Sequence, residues 1–266
     1  MSHFRLNPAA RQLLTLAGHQ VEVAIIAPTQ IPALVAEPRI VLLHEGLGSI
    51  DLWRDFPARL ANRLAEPVLV YSRYGHGQSE PLNEARSIGF MHDEGQYALP
   101  DLLRHFSIEQ AILIGHSDGA SIALIHAASY PATTRAVVAL APHLFIEPIC
   151  IKAISQARRD FDSSGLAQRL ARYHRDARRT FAGWSDVWLA PEFPVWNIEH
   201  EVAAIKCKVL AIQGEQDQYG TMRQIERIAE LVSDTSMVKL QACKHSPHLE
   251  QTELVLTQIA NFVASL

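Results

Sequence analysis

Ala111-Ile112-Leu113-Ile114-Gly115-His116-Ser117-Asp118-Gly119-Ala120 is the stretch whose reading decides the fold. Its apolar opening reads as a short buried strand. A serine flanked by glycines interrupts it, and small residues at Ala120, Ala123, Ala127 and Ala128 punctuate the helical stretch from Ser117 to Tyr130. A strand that turns at once into a helix through Gly-x-Ser-x-Gly needs little bulk on either side of the serine, because only then can strand and helix approach closely. Ser117 is therefore expected on a strained turn, its hydroxyl projecting at the top of a sheet.

The same texture extends along the chain. Val21 to Ala27, Ile40 to Leu43, Val68 to Tyr71, Ala136 to Leu140, Val209 to Ile212 and Met237 to Leu240 are short runs that read as strands. Asp51 to Leu64, His92 to Phe106, Thr221 to Leu231 and Thr252 to Leu266 have helical length, and the last places Val255, Ile259, Phe262, Val263 and Leu266 on one face. This alternation predicts an α/β fold: a mostly parallel central sheet flanked by helices, with sites at the carboxyl ends of strands. The interval from Ala141 to Cys207 is too long for an ordinary crossover. Arg-rich helices from Gln156 to Arg179 precede an aromatic segment containing Phe181, Trp184, Trp188, Phe193 and Trp196. The expected division is a core of residues 1–141 and 208–266, with a helical cap inserted at 142–207.

A chain of 266 residues with 48% apolar residues can bury a substantial core, and a net charge of −4 removes the basic footprint a nucleic-acid or anionic-membrane binder needs. The expected partner is a small-molecule substrate, with no nucleic acid and no membrane; monomer and homodimer stay open. Cys150, Cys207 and Cys243 form neither a disulfide framework nor a zinc-type pairing. The amino terminus lacks the apolar segment of a signal peptide, and no apolar run reaches the ~18 residues of a membrane helix. A soluble, cytoplasmic protein is expected.

A serine hydroxyl needs a base, and the base an orienting acid. Gly214-Glu215-Gln216-Asp217 follows one strand, and Cys243-Lys244-His245-Ser246-Pro247-His248-Leu249-Glu250 follows the next. The order Ser, Asp, His suits a sheet of this type. The sequence here resembles the α/β-hydrolase fold superfamily, in its branch of capped serine esterases, lactonases and carbon-carbon bond hydrolases. "LHEGLGS", "YSRYGHGQSE", "IGHSDGAS", "IQGEQDQYGT" and "CKHSPHLEQ" carry the resemblance over nearly the whole chain. It implies Ser117 as nucleophile, Asp217 as acid and His245 as base, ahead of Glu215 and His248. Lys244 departs from the glycine that usually precedes the histidine.

Acyl transfer passes through an oxyanion, and fixed backbone amides stabilise it. The resemblance implies the amides of Gly46 and Asp118 as that pair. Two carboxylates, Glu45 and Asp118, then lie beside the donors, and each must be paired, protonated or turned away. Arg73 and Arg54 are candidate partners. His116 and His44 read as local structural residues, and Glu45, Trp184 and Trp188 as candidates to touch substrate. No histidine grouping has metal-ligand spacing, so neither metal nor cofactor is expected. The leading expectation is a cofactor-independent hydrolase of a small carboxylic ester, lactone or thioester, working through an acyl-enzyme. Hydrolysis of a carbon-carbon bond in a diketone-type intermediate is the second enzymatic reading. A non-catalytic ligand-binding homologue is the third.

Overall fold

In the computed structural model, which describes residues 11–29 and 38–266, the apolar runs pair into one sheet of eight strands among the described residues. The strands are β1 Arg11–Leu16, β2 His19–Ile26, β3 Ile40–Leu43, β4 Val68–Ser72, β5 Ala111–His116, β6 Thr134–Leu140, β7 Lys208–Gly214 and β8 Thr235–Leu240. Their order is β1-β2-β4-β3-β5-β6-β7-β8. Pairings from β4 across to β8 are parallel, whereas β1 and β2 join antiparallel. The sheet is mostly parallel, as expected. β1, an edge strand, has no counterpart in the sequence reading: Gln12, Leu13 and Thr15 are exposed and only Leu16 is fully buried. It is held by a two-residue hairpin through Ala17 and Gly18, both at positive φ.

Side chains on the strands alternate between two apolar layers, as a period of two requires. Leu113 of β5 points into the layer shared with α3 (Leu99–His105), α4 (Asp118–Ser129) and α9 (Arg223–Leu231). Ile112 and Ile114 point into the other, packed by α1 (Phe56–Leu64) and α11 (Thr252–Ala264) through Phe56, Leu60, Val255 and Ile259. The expected helix from His92 to Phe106 is instead α2 (Phe90–Asp93), a π-helical turn at Glu94–Ala98, and α3.

The long interval between β6 and β7 folds into α5 (Pro148–Arg159), α6 (Leu166–Leu170), α7 (Ala177–Trp188) and α8 (Glu199–Val202). Aromatic contacts tie it together: Phe161 stacks on Phe181 at 4.0 Å, and Trp188 meets Phe193 at 4.9 Å between ring centres. The chain runs from β3 to β4 on one side and returns past β3 to β5 on the other. A crevice opens at such a reversal, above the carboxyl ends of the two strands. Leu43 and His116 end β3 and β5 there.

Candidate active site

The β5–α4 turn sets the serine. Ser117 has φ 52° and ψ −119°, a conformation that costs an L-residue on the order of 1–3 kcal/mol and persists only where packing enforces it. The packing is visible at the flanking glycines. A β-carbon on Gly119 would run into the Leu43 carbonyl, and one on Gly115 into the Gly119 carbonyl. Strand, turn and helix are pressed together, and the serine has no other path.

His245, on the loop after β8, brings Nε2 to 2.9 Å from Ser117 Oγ. Its Nδ1 lies 2.9 Å from each oxygen of Asp217. A carboxylate facing Nδ1 places the ring proton there and leaves the Nε2 lone pair toward the serine. Asp217 also accepts the Tyr219 N–H at 2.8 Å and the Gln213 side-chain amide at 3.2 Å. Burial pushes the Asp217 carboxyl up, but the His245 hydrogen bond and these donors outweigh it and hold the pKa below the ordinary carboxylate value. Glu215 is exposed, and His248 packs on Trp53 at 4.7 Å between ring centres; neither lies in this hydrogen-bonded run.

The loop after β3 is held carbonyl by carbonyl. Arg73, fully buried, donates to the carbonyls of His44 at 3.3 Å and Glu45 at 3.0 Å. His44 accepts the Arg73 N–H on Nε2 at 2.9 Å, so its Nδ1 donates to the Glu45 carbonyl at 2.7 Å. His76 lies 3.0 Å from the Gly46 carbonyl, and His174 lies 3.0 Å from that of Leu47. In a planar trans peptide the C=O and the following N–H point in opposite directions. Tethering the Glu45 carbonyl to Arg73 and His44 therefore turns the Gly46 N–H the other way.

Gly46, Asp118, Ser117 and His245 line one cavity of about 180 Å³ together with Glu45, Leu47, His143, Cys150, Ile154, Trp184, Trp188 and Tyr219. Trp184 lies against the α-carbon of Gly46. Burial, and then the neighbouring His245, bring the His143 pKa down to about 3, so this imidazole is neutral. Burial likewise pushes the Cys150 thiol well up. A larger cavity of about 850 Å³, bordered by Tyr71, Arg73, Arg86, Phe90 and Glu94, shares no lining residue with this one and contains none of the three hydrogen-bonded groups. Among the described residues no cluster of His, Cys, Asp and Glu could hold a metal ion.

A sequence profile described as the alpha/beta hydrolase family matches residues 40–258. The chain belongs to the alpha/beta hydrolase family. Among its relatives is the serine hydrolase BPHL of Mus musculus, 27% identical over 221 residues that cover 80% of this chain and 75% of that one. The 2-succinyl-6-hydroxy-2,4-cyclohexadiene-1-carboxylate synthase of Enterobacter sp. (strain 638) is 29% identical over 196 residues, covering 73% of this chain and 67% of that one. The present chain shares its fold with the enol-lactonase from Burkholderia xenovorans LB400, at TM-score 0.75 and 18% identity, covering 95% of this chain and all (100%) of that one.

In this alpha/beta hydrolase the two acids beside Gly46 and Ser117 differ: Asp118 has the expected Arg73 nearby, and Glu45 has another partner. Arg73 touches Glu45 only at its carbonyl; its Nη2 is 4.0 Å from Asp118 Oδ2. The Glu45 carboxylate instead meets His116, Nδ1 to Oε2, at 3.5 Å. Exposed Arg54 makes no ion pair with either among the described residues. The reason is the loop's turn: with the Glu45 carbonyl facing Arg73, its side chain is directed toward the β5 end. Burial raises Asp118, opposed by Arg73, while His116 lowers Glu45 against burial. Trp184 and Trp188 border the cavity. His76, His143, His174 and Tyr219 were missed. A histidine that tethers a carbonyl carries no periodic or spacing signal, because its partner lies tens of residues away.

Proposed function

We propose that the chain is a cofactor-independent serine hydrolase that cleaves a small carboxylic ester, lactone or thioester through an acyl-enzyme on Ser117. The observation that carries this is the continuous run Asp217, His245, Ser117 at 2.9 Å per step, opening on the cavity that Gly46 and Asp118 also line. Attack by Ser117 Oγ on the carbonyl carbon delivers the hydroxyl proton to His245 Nε2. Asp217 fixes the tautomer and stabilises the imidazolium. The negative charge that develops on the carbonyl oxygen is met by the amides of Gly46 and Asp118. His245 then returns the proton to the departing alcohol or thiol, and the same ring activates the water that releases the acid.

The cavity supports a compact substrate: an engineered cavity of ~150 Å³ elsewhere accepts a single benzene ring, so about 180 Å³ suits a short or monocyclic group. Residues 142–207 act in this reading as a cap, supplying Trp184, Trp188, Ile154 and Cys150 as its apolar wall. A fluorophosphonate probe tests the reading directly. Wild-type protein is expected to label and to hydrolyse short p-nitrophenyl esters, and Ser117→Ala to do neither. Turnover of vinylogous diketones without turnover of esters would favour carbon-carbon hydrolysis; a wild-type protein that never labels and turns over neither class removes the catalytic reading altogether.

A further inference from the structure

The residue before the proposed oxyanion donor is Glu45, and the residue before the proposed nucleophile is His116. Their side chains meet each other, and His116 goes on to meet the loop of the proposed base. His116 Nδ1 is 3.5 Å from Glu45 Oε2, and its Nε2 is 2.7 Å from the backbone carbonyl of His245. The ring is almost completely buried, at 1% exposure. One imidazole thus joins three loops that are distant in sequence and that each deliver one component of the site. We infer that Glu45 and His116 are positioning residues that hold the Gly46 amide, Ser117 and His245 in register. The inference rests on the acyl-transfer reading of Ser117.

The chemistry of the contact supports the assignment. A carbonyl lies within hydrogen-bond distance of one ring nitrogen and a carboxylate 3.5 Å from the other, so a single ring is held between the loops of His245 and Glu45. The contact draws the Glu45 carboxylate to the end of β5, and its loss would free that carboxylate beside Gly46. The other groups around the ring cannot replace it. His248 approaches at 4.6 Å and the His245 ring at 5.0 Å between centres, while Trp53 closes the remaining side at 6.4 Å. Burial, and then His116 itself, hold His248 well below the usual histidine range, so it stays neutral. His44 faces Glu45 from within its own loop but has both nitrogens committed to backbone partners. Glu45 thus has a protein partner at the edge of the cavity it helps line.

Replacement of His116 by Ala is expected to lower kcat by about tenfold to a hundredfold with KM changed less than twofold, since only the alignment of groups that act in the transition state is lost. His116→Gln keeps a donor for the His245 carbonyl and should recover part of the loss. Glu45→Gln should lower kcat less, and adding it to His116→Gln should cost little more, because residues of one chain of contacts are not additive. Backbone amide exchange gives a readout independent of turnover: in His116→Gln the amides of Gly46 and of Ser246 should exchange faster together, while those inside β5 stay protected. Unchanged kcat in the Ala variant, a loss expressed mainly in KM, full additivity of the two Gln variants, or exchange that rises in only one loop would overturn the inference. If the wild type proves inert to esters and to the fluorophosphonate, the acyl-transfer reading fails by itself, and the paired exchange still decides whether the three loops are coupled.

Discussion

Replacing Asp217 by Asn changes the site by little more than one charge and one acceptor, and its consequence can be worked from the contacts. The Asp217 carboxylate takes the His245 ring through both oxygens at 2.9 Å, the Tyr219 N–H at 2.8 Å and the Gln213 amide at 3.2 Å. Every partner around it is a donor. An Asn has one acceptor oxygen, so its NH2 must face one of them. If the oxygen stays with Tyr219 N–H, the NH2 meets His245 Nδ1 and is satisfied only when that nitrogen carries a lone pair. The ring proton then moves to Nε2, where it faces Ser117 Oγ, and the ring can no longer take the serine proton. The corresponding change in a well-studied triad lowers kcat about ten-thousandfold; at 1.36 kcal/mol per factor of ten, this is roughly 5 kcal/mol of transition-state stabilisation. Turnover of p-nitrophenyl acetate at neutral pH is the assay, with circular dichroism to show that the variant is folded. A folded Asp217→Asn protein that keeps more than a tenth of wild-type kcat/KM would refute the assignment of Asp217.

Two more expectations follow from buried groups. His44, His76 and His248 are buried, and burial, followed by Arg73 for the first two and His116 for the third, holds their pKa values well below the ordinary histidine value. The unfolded chain then binds more protons than the folded one below pH ~6.5, so stability falls on acidification; three such groups together cost about 4 kcal/mol by pH 5.5. A urea midpoint that does not change between pH 7.5 and 5.5 would contradict this. Trp184→Ala, at a side chain only 8% exposed that borders the cavity, should cost about 3–5 kcal/mol of stability and shift ester preference toward longer acyl chains. An unchanged profile across p-nitrophenyl acetate to decanoate would place the acyl group elsewhere.

How legible the molecule was depends on where each residue's partner lies. Ile112 and Leu113 announce a buried strand because their neighbours in sequence share their burial, and the central parallel strands were all readable on that basis. Arg11 to Leu16 was not read, because only Leu14 and Leu16 of this edge strand reach the core and Leu13 on its other face is exposed. Asp217 and His245, singled out on strand-end loops by the family resemblance, lie within 2.9 Å of one another, with His245 also 2.9 Å from Ser117. Arg73 was picked out as a partner for the two acids: it stands 4.0 Å from Asp118 but meets Glu45 only at its carbonyl. His76, His143 and His174 were not found at all.

The sequence by itself determined the alternation of strands and helices, the glycine-flanked serine, and the order in which Ser117, Asp217 and His245 follow strands. These depend on local periodicity and on residues that a tight turn admits, so a one-dimensional reading captures them. Only the tertiary structure decided which way the loop after β3 faces and what meets its acid. Four successive carbonyls are held by side chains drawn from residues 44 to 174, and the carboxylate of Glu45 meets His116 at the end of β5. Such contacts are selected by the packing of whole elements, and chain spacing carries no trace of them.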